Sequence, residues 1–247
     1  MFLPEIEKNR QSRRLHSIKS DADLTSIHPI IVIPVYNGRD SLLSLIGRIE
    51  SLGDHPILVI DDGSRDELTA EDVSPHKFYG HSENRGKGAA LKTGLNLAAK
   101  LGYSHALTLD ADGQHDPSEI DHFLDLAHAN PGAFIIGMRD LIAESMPLHR
   151  KLSNNITSFM LSLRTSTRVR DSQVGYRCYP LTDSRLWDSI EDGFQFESAV
   201  YFNAAKLRIP LVWQPIPVIY GTEESHINPL KDTVRFVRMY IRNLIRI

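Results

Sequence analysis

Residues 106–117 read Ala106-Leu107-Thr108-Leu109-Asp110-Ala111-Asp112-Gly113-Gln114-His115-Asp116-Pro117. A short apolar run breaks into two acids one residue apart. Pro117 then stands at the first position of a helical pattern reaching Ala129, with Ile120, Phe123, Leu124 and Ala127 on one face. Strand, acidic turn and helix in that order form the unit of a parallel sheet covered by helices. The unit recurs on both sides. Ile30-Ile31-Val32-Ile33-Pro34-Val35, Ile57-Leu58-Val59-Ile60 and Ala133-Phe134-Ile135-Ile136 are apolar runs of the kind buried on both faces of a sheet. Lys77-Phe78-Tyr79 is a weaker run, and Ser41–Leu52 and Gly88–Leu101 carry apolar residues at helical spacing between the strands.

Beyond about residue 145 the alternation gives way. The pattern predicts a long helix over 148–163, a strand at 176–179 and a helix over 197–206. Segments 211–213 and 216–219 read as edge strands, because Pro is poorly tolerated in central ones. A last helix is expected over 229–246. The predicted fold class is α/β, a mostly parallel central sheet flanked by helices in a single domain over 29–228. A polar, locally basic extension precedes it at 1–28, and an amphipathic helix follows at 229–247.

Composition narrows the function classes. The chain has 247 residues, 41% hydrophobic and 24% charged, with a net charge of −3. These values exclude fibrous and disordered chains, and no global basic field invites nucleic acid. The single Cys178 excludes a disulfide framework and a cysteine-rich zinc site. No apolar run approaches the roughly 18 residues of a membrane span, and Met1-Phe2-Leu3 runs straight into polar residues, so a cytoplasmic protein is expected.

In an open parallel sheet, ligands bind beyond the carboxyl ends of the strands. Three polar clusters are expected there: Pro34-Val35-Tyr36-Asn37-Gly38, Asp61-Asp62-Gly63-Ser64, and Asp110 to Pro117. In extended backbone Asp110 and Asp112 point to one side and repel unless a cation lies between them. Such hard oxygen ligands suit Mg²⁺ or Mn²⁺ together with a diphosphate. An Asx turn is the competing reading of the same residues. Asn84-Arg85-Gly86-Lys87-Gly88 opens a helix, where backbone N–H groups with Arg85 and Lys87 suit an anion. Its spacing matches neither the dinucleotide fingerprint nor the P-loop.

Taken in order, Ile33-Pro34-Val35-Tyr36-Asn37, Asp61-Asp62-Gly63-Ser64, Asn84 to Ala90 and Asp110 to His115 resemble glycosyltransferase family 2, with its GT-A fold. Asp171-Ser172-Gln173-Val174-Gly175-Tyr176-Arg177 and Phe194-Gln195-Phe196-Glu197 resemble downstream motifs of the branch that contains dolichyl-phosphate mannose synthase and polyprenyl-phosphate glycosyltransferases. The resemblance covers about residues 29–228. It implies a UDP- or GDP-linked sugar donor held by Pro34, Tyr36, Asn37, Asp61, Asp62, Arg85, Gly86, Lys87 and Asp110. It also implies a Mg²⁺ or Mn²⁺ ion on Asp110, Asp112 and Gln114. The acceptor would be a polyprenyl phosphate, or else a hydroxyl on a lipid or saccharide. A nucleotide-sugar binding protein without catalysis is a further alternative, against which Asp110, Asp112 and Gln114 argue.

Attack on the donor should be direct and inverting. A hydroxyl acceptor needs a base, for which Asp171 and Glu197 are the candidates. A phosphate acceptor is already an anion and needs cations, for which Arg139, Arg150 and Arg177 are the candidates. His115 either touches the acceptor or caps the turn before Pro117. In the last helix Lys231, Arg235, Arg238, Arg242 and Arg246 fall in one stripe, opposite Phe236, Val237, Tyr240, Ile241 and Leu244. A basic amphipathic helix suits peripheral contact with an anionic membrane; the competing reading packs its apolar side on the core and leaves the basic side in water. Glu224-Ser225-His226 is a loose version of the branch's late motif.

Overall fold

The computed structural model describes residues 26–139, 148–217 and 229–245, of which 148–152, 229–233 and 244–245 are described as backbone alone. Residues 1–25 of the extension expected at 1–28, Val218-Ile219, Glu224-Ser225-His226 and Arg246 lie outside that description, as do the side chains of Arg150, Lys231 and Leu244.

Strand β1 (Pro29–Val35) forms the middle of one half of the sheet. It pairs in parallel with β2 (Ile57–Asp61) on one side and β4 (His105–Thr108) on the other, with Ile31 opposite both Ile57 and Leu107. β3 (Lys77–Gly80) closes that edge beside β2. On the far side of β4 lies β6 (Arg177–Pro180), then β5 (Phe134–Arg139), then β7 (Leu211–Ile216), giving the order β3-β2-β1-β4-β6-β5-β7. Only β6 runs antiparallel to its neighbours among these described strands.

That reversal positions the site. The parallel strands bring their carboxyl ends to one rim, and β6, running backwards, brings its beginning to the same rim: Thr108 lies opposite Arg177. The 171–176 segment therefore arrives beside the acids that follow β4.

Helices α1 (Arg39–Glu50), α2 (Lys87–Lys100), α3 (Ile120–Ala129), α4 (Leu148–Thr165), α5 (Gln195–Leu207) and α6 (Pro229–Ile245) complete the described elements. α1 buries Leu42, Leu45, Ile46 and Ile49, the positions that its spacing selects. α3 starts later than its pattern suggests. Pro117–Glu119 forms a 3-10 turn because the Asp116 side chain accepts the Ser118 N–H at 3.2 Å and caps it. The two short strands expected around 211–219 are one strand as far as Ile216. It holds Pro215 without cost because β7 lies at the sheet edge.

α2 lies unusually close to the sheet. A Cβ at Gly94 would stand inside van der Waals contact of the buried Val32 Cγ1, and 3.1 Å from Ile60 Cγ1. Gly94→Ala should therefore cost about 1–3 kcal/mol despite the better helix propensity of Ala. Val32→Ala in the same chain should recover part of that loss by vacating the space. Urea unfolding midpoints of the two single variants and the double variant test this; strict additivity would refute the close approach.

Candidate active site

Three strand ends and one strand start meet at the rim. After β1, Tyr36 is exposed and Asn37 takes a positive φ of 51°. Asn37 is tied to the next turn in both directions: its N–H donates to Ser64 Oγ at 2.9 Å, and its Oδ1 accepts from the Arg65 N–H at 2.9 Å. Pro34 is buried within β1. After β2, Asp61 Oδ1 accepts the Ser64 N–H at 3.0 Å. An open cavity of about 550 Å³ adjoins this turn, lined by Asn37, Gly38, Arg39, Asp40, Ser41 and Asp66.

Asp62 is directed inward. One oxygen lies 2.6 Å from His81 Nδ1 and accepts the Arg85 N–H at 3.0 Å, while the other accepts the Gly86 N–H at 2.7 Å. His81 Nε2 lies 3.0 Å from Thr93 Oγ1 in α2. Asp62 was expected to hold a ligand; here its carboxylate shapes the Arg85-Gly86 loop, and a buried acid with three donors has little left to offer. The Arg85 side chain is exposed at that loop. Gly86 takes φ 99° with its backbone against the Asp192 carbonyl, a place where no side chain fits.

His81 and Thr93, which hold Asp62 in place, are positions that the motifs did not single out. The signal was available in the strand register. β3 pairs in parallel with β2 so that Gly80 lies opposite Asp61, which puts His81 next to Asp62 at the rim.

Lys87, the first residue of α2, turns its ammonium away from the loop. Its Nζ lies 2.8 Å from Asp110 Oδ1 and 3.3 Å from Glu197 Oε1 in the first turn of α5. Burial works against each of these charges. For Asp110 it is outweighed by Lys87, and further by Arg177, which hold the carboxyl below its ordinary range. For Glu197 it dominates, and the carboxyl is pushed up in spite of Lys87 and Arg177. The expected anion-binding charge of Lys87 is thus committed to two acids of the chain itself.

Asp110 and Asp112 are not on an extended strand. Residues 111–112 form a turn, and Asp112 Oδ1 accepts the Gln114 N–H at 3.0 Å, so the Asx geometry is realised. The two acids are nevertheless electrostatic neighbours. Loss of water first, and then the charge of Asp110, raises the Asp112 carboxyl above its ordinary range. An oxygen donor set in which one carboxylate is disfavoured by another fits a hard divalent cation. Among the described residues no three His, Cys, Asp or Glu side chains form a closed metal cage. A cation at Asp112 and Gln114 would therefore complete its shell from a bound ligand.

Gly175 lies against Asp110: a Cβ there would overlap the carboxylate. His115 is buried, packs at 5.2 Å on Tyr176, and its Nδ1 accepts the Asp110 N–H at 3.2 Å. Burial pushes the ring's proton affinity down, as a neutral acceptor requires. His115 therefore braces the acidic turn from behind.

Arg139 ends β5 and forms a two-pronged pair with Asp171, Nε to Oδ2 at 2.7 Å and Nη2 to Oδ1 at 2.9 Å. The Asp171 side chain is fully buried, whereas that of Arg139 is 19% exposed. Arg177, expected beside the acceptor, is fully buried. Its guanidinium donates to the carbonyls of Val174 at 2.7 Å, Glu197 at 2.6 Å and Ser172 at 3.1 Å. It knits the 172–177 segment to α5 and has no path to a ligand.

A model described as "Glycosyl transferase family 2" matches residues 30–182. The chain is 28% identical over 218 residues to a UDP-N-acetylglucosamine–dolichyl-phosphate N-acetylglucosaminyltransferase of Methanococcus voltae, covering 79% of this chain and 86% of that one. It is 28% identical over 204 residues to an undecaprenyl-phosphate mannosyltransferase of Micrococcus luteus, covering 77% and 83%. Among solved structures, glucosyl-3-phosphoglycerate synthase from Mycobacterium tuberculosis in complex with Mn²⁺, UDP and glucosyl-3-phosphoglycerate superposes with a TM-score of 0.65. The identity is 17%, over 92% of this chain and 81% of that one, a likeness of fold.

Arg177→Lys keeps the charge and loses the fork that serves three carbonyls. It should cost about 3 kcal/mol or more, since each unsatisfied buried partner costs about 1–3 kcal/mol. Chemical denaturation measures it; a cost below about 1 kcal/mol would mean that the guanidinium is not what holds this segment.

Proposed function

The chain belongs to glycosyl transferase family 2 and carries the GT-A fold, and on that premise we propose that it moves a hexose from a nucleoside-diphosphate sugar to a polyprenyl phosphate. The carrying observation is that both acids in reach of base duty are already committed: Asp171 to Arg139, and Glu197 to Lys87. An acceptor hydroxyl would have to give its proton to one of them. A phosphate monoester is already an oxyanion and needs neither. The relatives in Methanococcus voltae and Micrococcus luteus, named for dolichyl- and undecaprenyl-phosphate acceptors, support the same choice.

Pro34, Tyr36 and Asn37 line the nucleoside side of the rim, and Asp61 accepts from the base. The Arg85-Gly86 loop, shaped by Asp62, faces the diphosphate. Asp112 and Gln114, with Asp110 behind them, would hold a Mg²⁺ or Mn²⁺ ion, which supplies neutralisation of the leaving diphosphate. Arg139 keeps its pair with Asp171 and, 19% exposed at the end of β5, adds positive field on the side from which the acceptor phosphate approaches the sugar. A phosphate oxygen attacks the anomeric carbon, and the bond from that carbon to the β-phosphate oxygen breaks. Its electron pair leaves with the nucleoside diphosphate, and the anomeric configuration inverts. No proton is transferred. The reaction takes place on the cytoplasmic face of a membrane, where such an acceptor presents its headgroup.

Two experiments test this reading. Asp112→Ala should abolish Mn²⁺-dependent binding of UDP or GDP in calorimetric titration, with an unchanged melting temperature; undiminished affinity would remove Asp112 from the site. In a transfer assay, Glu197→Gln should keep activity within about tenfold, whereas Arg139→Ala should lower it by about 10²-fold. The reverse ranking, with the larger loss at Glu197, would indicate a base and a hydroxyl acceptor, since loss of a general base costs about 10²-fold or more.

A further inference from the structure

Asp62 and His81 form a buried polar pair where β2 and β3 end. Their side chains are 4% and 2% exposed, and His81 Nδ1 stands 2.6 Å from Asp62 Oδ1. An apolar pair would fill the same space at lower cost, because neither group would give up water. What the polar pair adds is direction. A carboxylate only accepts, so Nδ1 of the ring carries the hydrogen and donates it to Asp62. The other ring nitrogen lies 3.0 Å from Thr93 Oγ1, in the second turn of α2. Thr93 thus fixes the ring, and the ring fixes Asp62. Asp62 in turn takes the N–H groups of Arg85 at 3.0 Å and Gly86 at 2.7 Å.

Both flanks of the 82–86 loop are held by backbone. On one side a Cβ at Gly63 would overlap the backbone of Glu83. On the other, Gly86 packs on the Asp192 carbonyl, which also accepts the Ala89 N–H at 3.1 Å. Lys92 holds that segment in place, with Nζ 2.6 Å from Asp192 Oδ1 and 2.8 Å from the Ser189 carbonyl. The Thr93–His81–Asp62 chain then sets which way the two N–H groups turn. Gly86 caps α2, so the positive end of the helix faces the Asp62 carboxylate and favours it. The helix end is thus served by an anion of the chain itself. Lys87 is committed to Asp110 and Glu197, and Arg85 is the exposed cation of the loop.

We propose that His81, fixed by Thr93, is a positioning residue for the donor: through Asp62 it sets the Arg85-Gly86 loop so that Arg85 meets the diphosphate of the nucleotide sugar. The proposal rests on the donor reading given above and deepens it, by naming what places the cation on the phosphate side. His81 and Thr93 themselves touch no substrate. Without the ring's N–H, the buried carboxylate loses one of its three donors and turns to replace it, and the two backbone N–H groups follow. Arg85 is then misdirected. The phosphates lose a charge partner, whereas the nucleoside, held at the ends of β1 and β2, keeps its contacts.

Calorimetric titration of the full chain with Mn²⁺ and UDP or GDP tests this. His81→Leu should weaken diphosphate binding by about tenfold, the size of one hydrogen bond to a charged group. His81→Asn, whose amide can donate to Asp62 in place of Nδ1, should restore affinity to within about threefold of wild type. Thr93→Val leaves the Asp62 contact in place and should cost about threefold, which keeps the comparison open should His81→Leu fail to fold. In an Arg85→Ala background, His81→Leu should weaken binding by less than about threefold, since its effect passes through Arg85. Uridine or guanosine, which carries no phosphate, should bind all variants equally by saturation-transfer NMR. Equal losses for nucleoside and diphosphate, full additivity with Arg85→Ala, or no recovery in a folded His81→Asn would make the pair a structural plug and overturn the proposal. So would undiminished affinity in His81→Leu. A wild type that binds neither diphosphate would overturn the donor reading and this one together. The expected pattern without transfer to a polyprenyl phosphate would uphold the positioning and remove the acceptor alone.

Discussion

One ammonium group joins the two halves of the rim. Lys87 comes from the first turn of α2, Asp110 from the turn after β4, and Glu197 from α5, far along the chain. Two acids at this depth could not both remain charged without it, because each pays for lost water and each repels the other. With Lys87 between them, the acidic turn, the Arg85-Gly86 loop and the start of α5 are fixed in one arrangement. Breaking such a pair by removing one partner costs far more than the pair contributes net, so the arrangement is specified strongly even where it stabilises little.

Around that pair the rim is held by polar groups pointing inward. Asp62 and His81 fix the Arg85-Gly86 loop, Arg177 stitches three carbonyls, His115 braces Asp110, and Gly175 allows the 171–176 segment to touch the carboxylate. At the rim itself Asp112 and Gln114 stay half-buried, and Arg85 is exposed. A site built this way is preorganised, since the groups that must stay still are paired with the chain before any substrate arrives.

Most of the sheet was legible in the sequence because strands buried on both faces are continuous apolar runs, and 30–35, 57–60 and 106–109 cannot be placed otherwise. The acids at 61–62 and 110–112 were legible for the same reason, since a strand end in such a sheet is a binding rim. Which of those acids turn inward to the chain was not. Asp62 and Asp112 look alike in the sequence, and only the register that brings His81 to Asp62 separates them. The direction of Lys87 depends on Glu197, over a hundred residues later, and the burial of Arg177 depends on β6 entering between β4 and β5. Each of these is set by long-range packing, to which periodicity and motif spacing are blind.

The strand order carries a consequence for how the chain is built. β5 and β7 reach β1–β4 only through β6, which is made about forty residues after β5. As the chain emerges, β1 to β4 find their partners in turn, while β5 has none and β4, buried along its whole length in the finished sheet, keeps an open edge until Arg177–Pro180 slots in. That late, non-local closure is the slow event that loop entropy imposes on such topologies. A nascent or truncated chain that stops short of β6 presents an unpaired edge of the type that recruits other strands and aggregates. The two halves of the sheet thus share a single cooperative unit, and neither can be shuffled, swapped or expressed alone without exposing the seam.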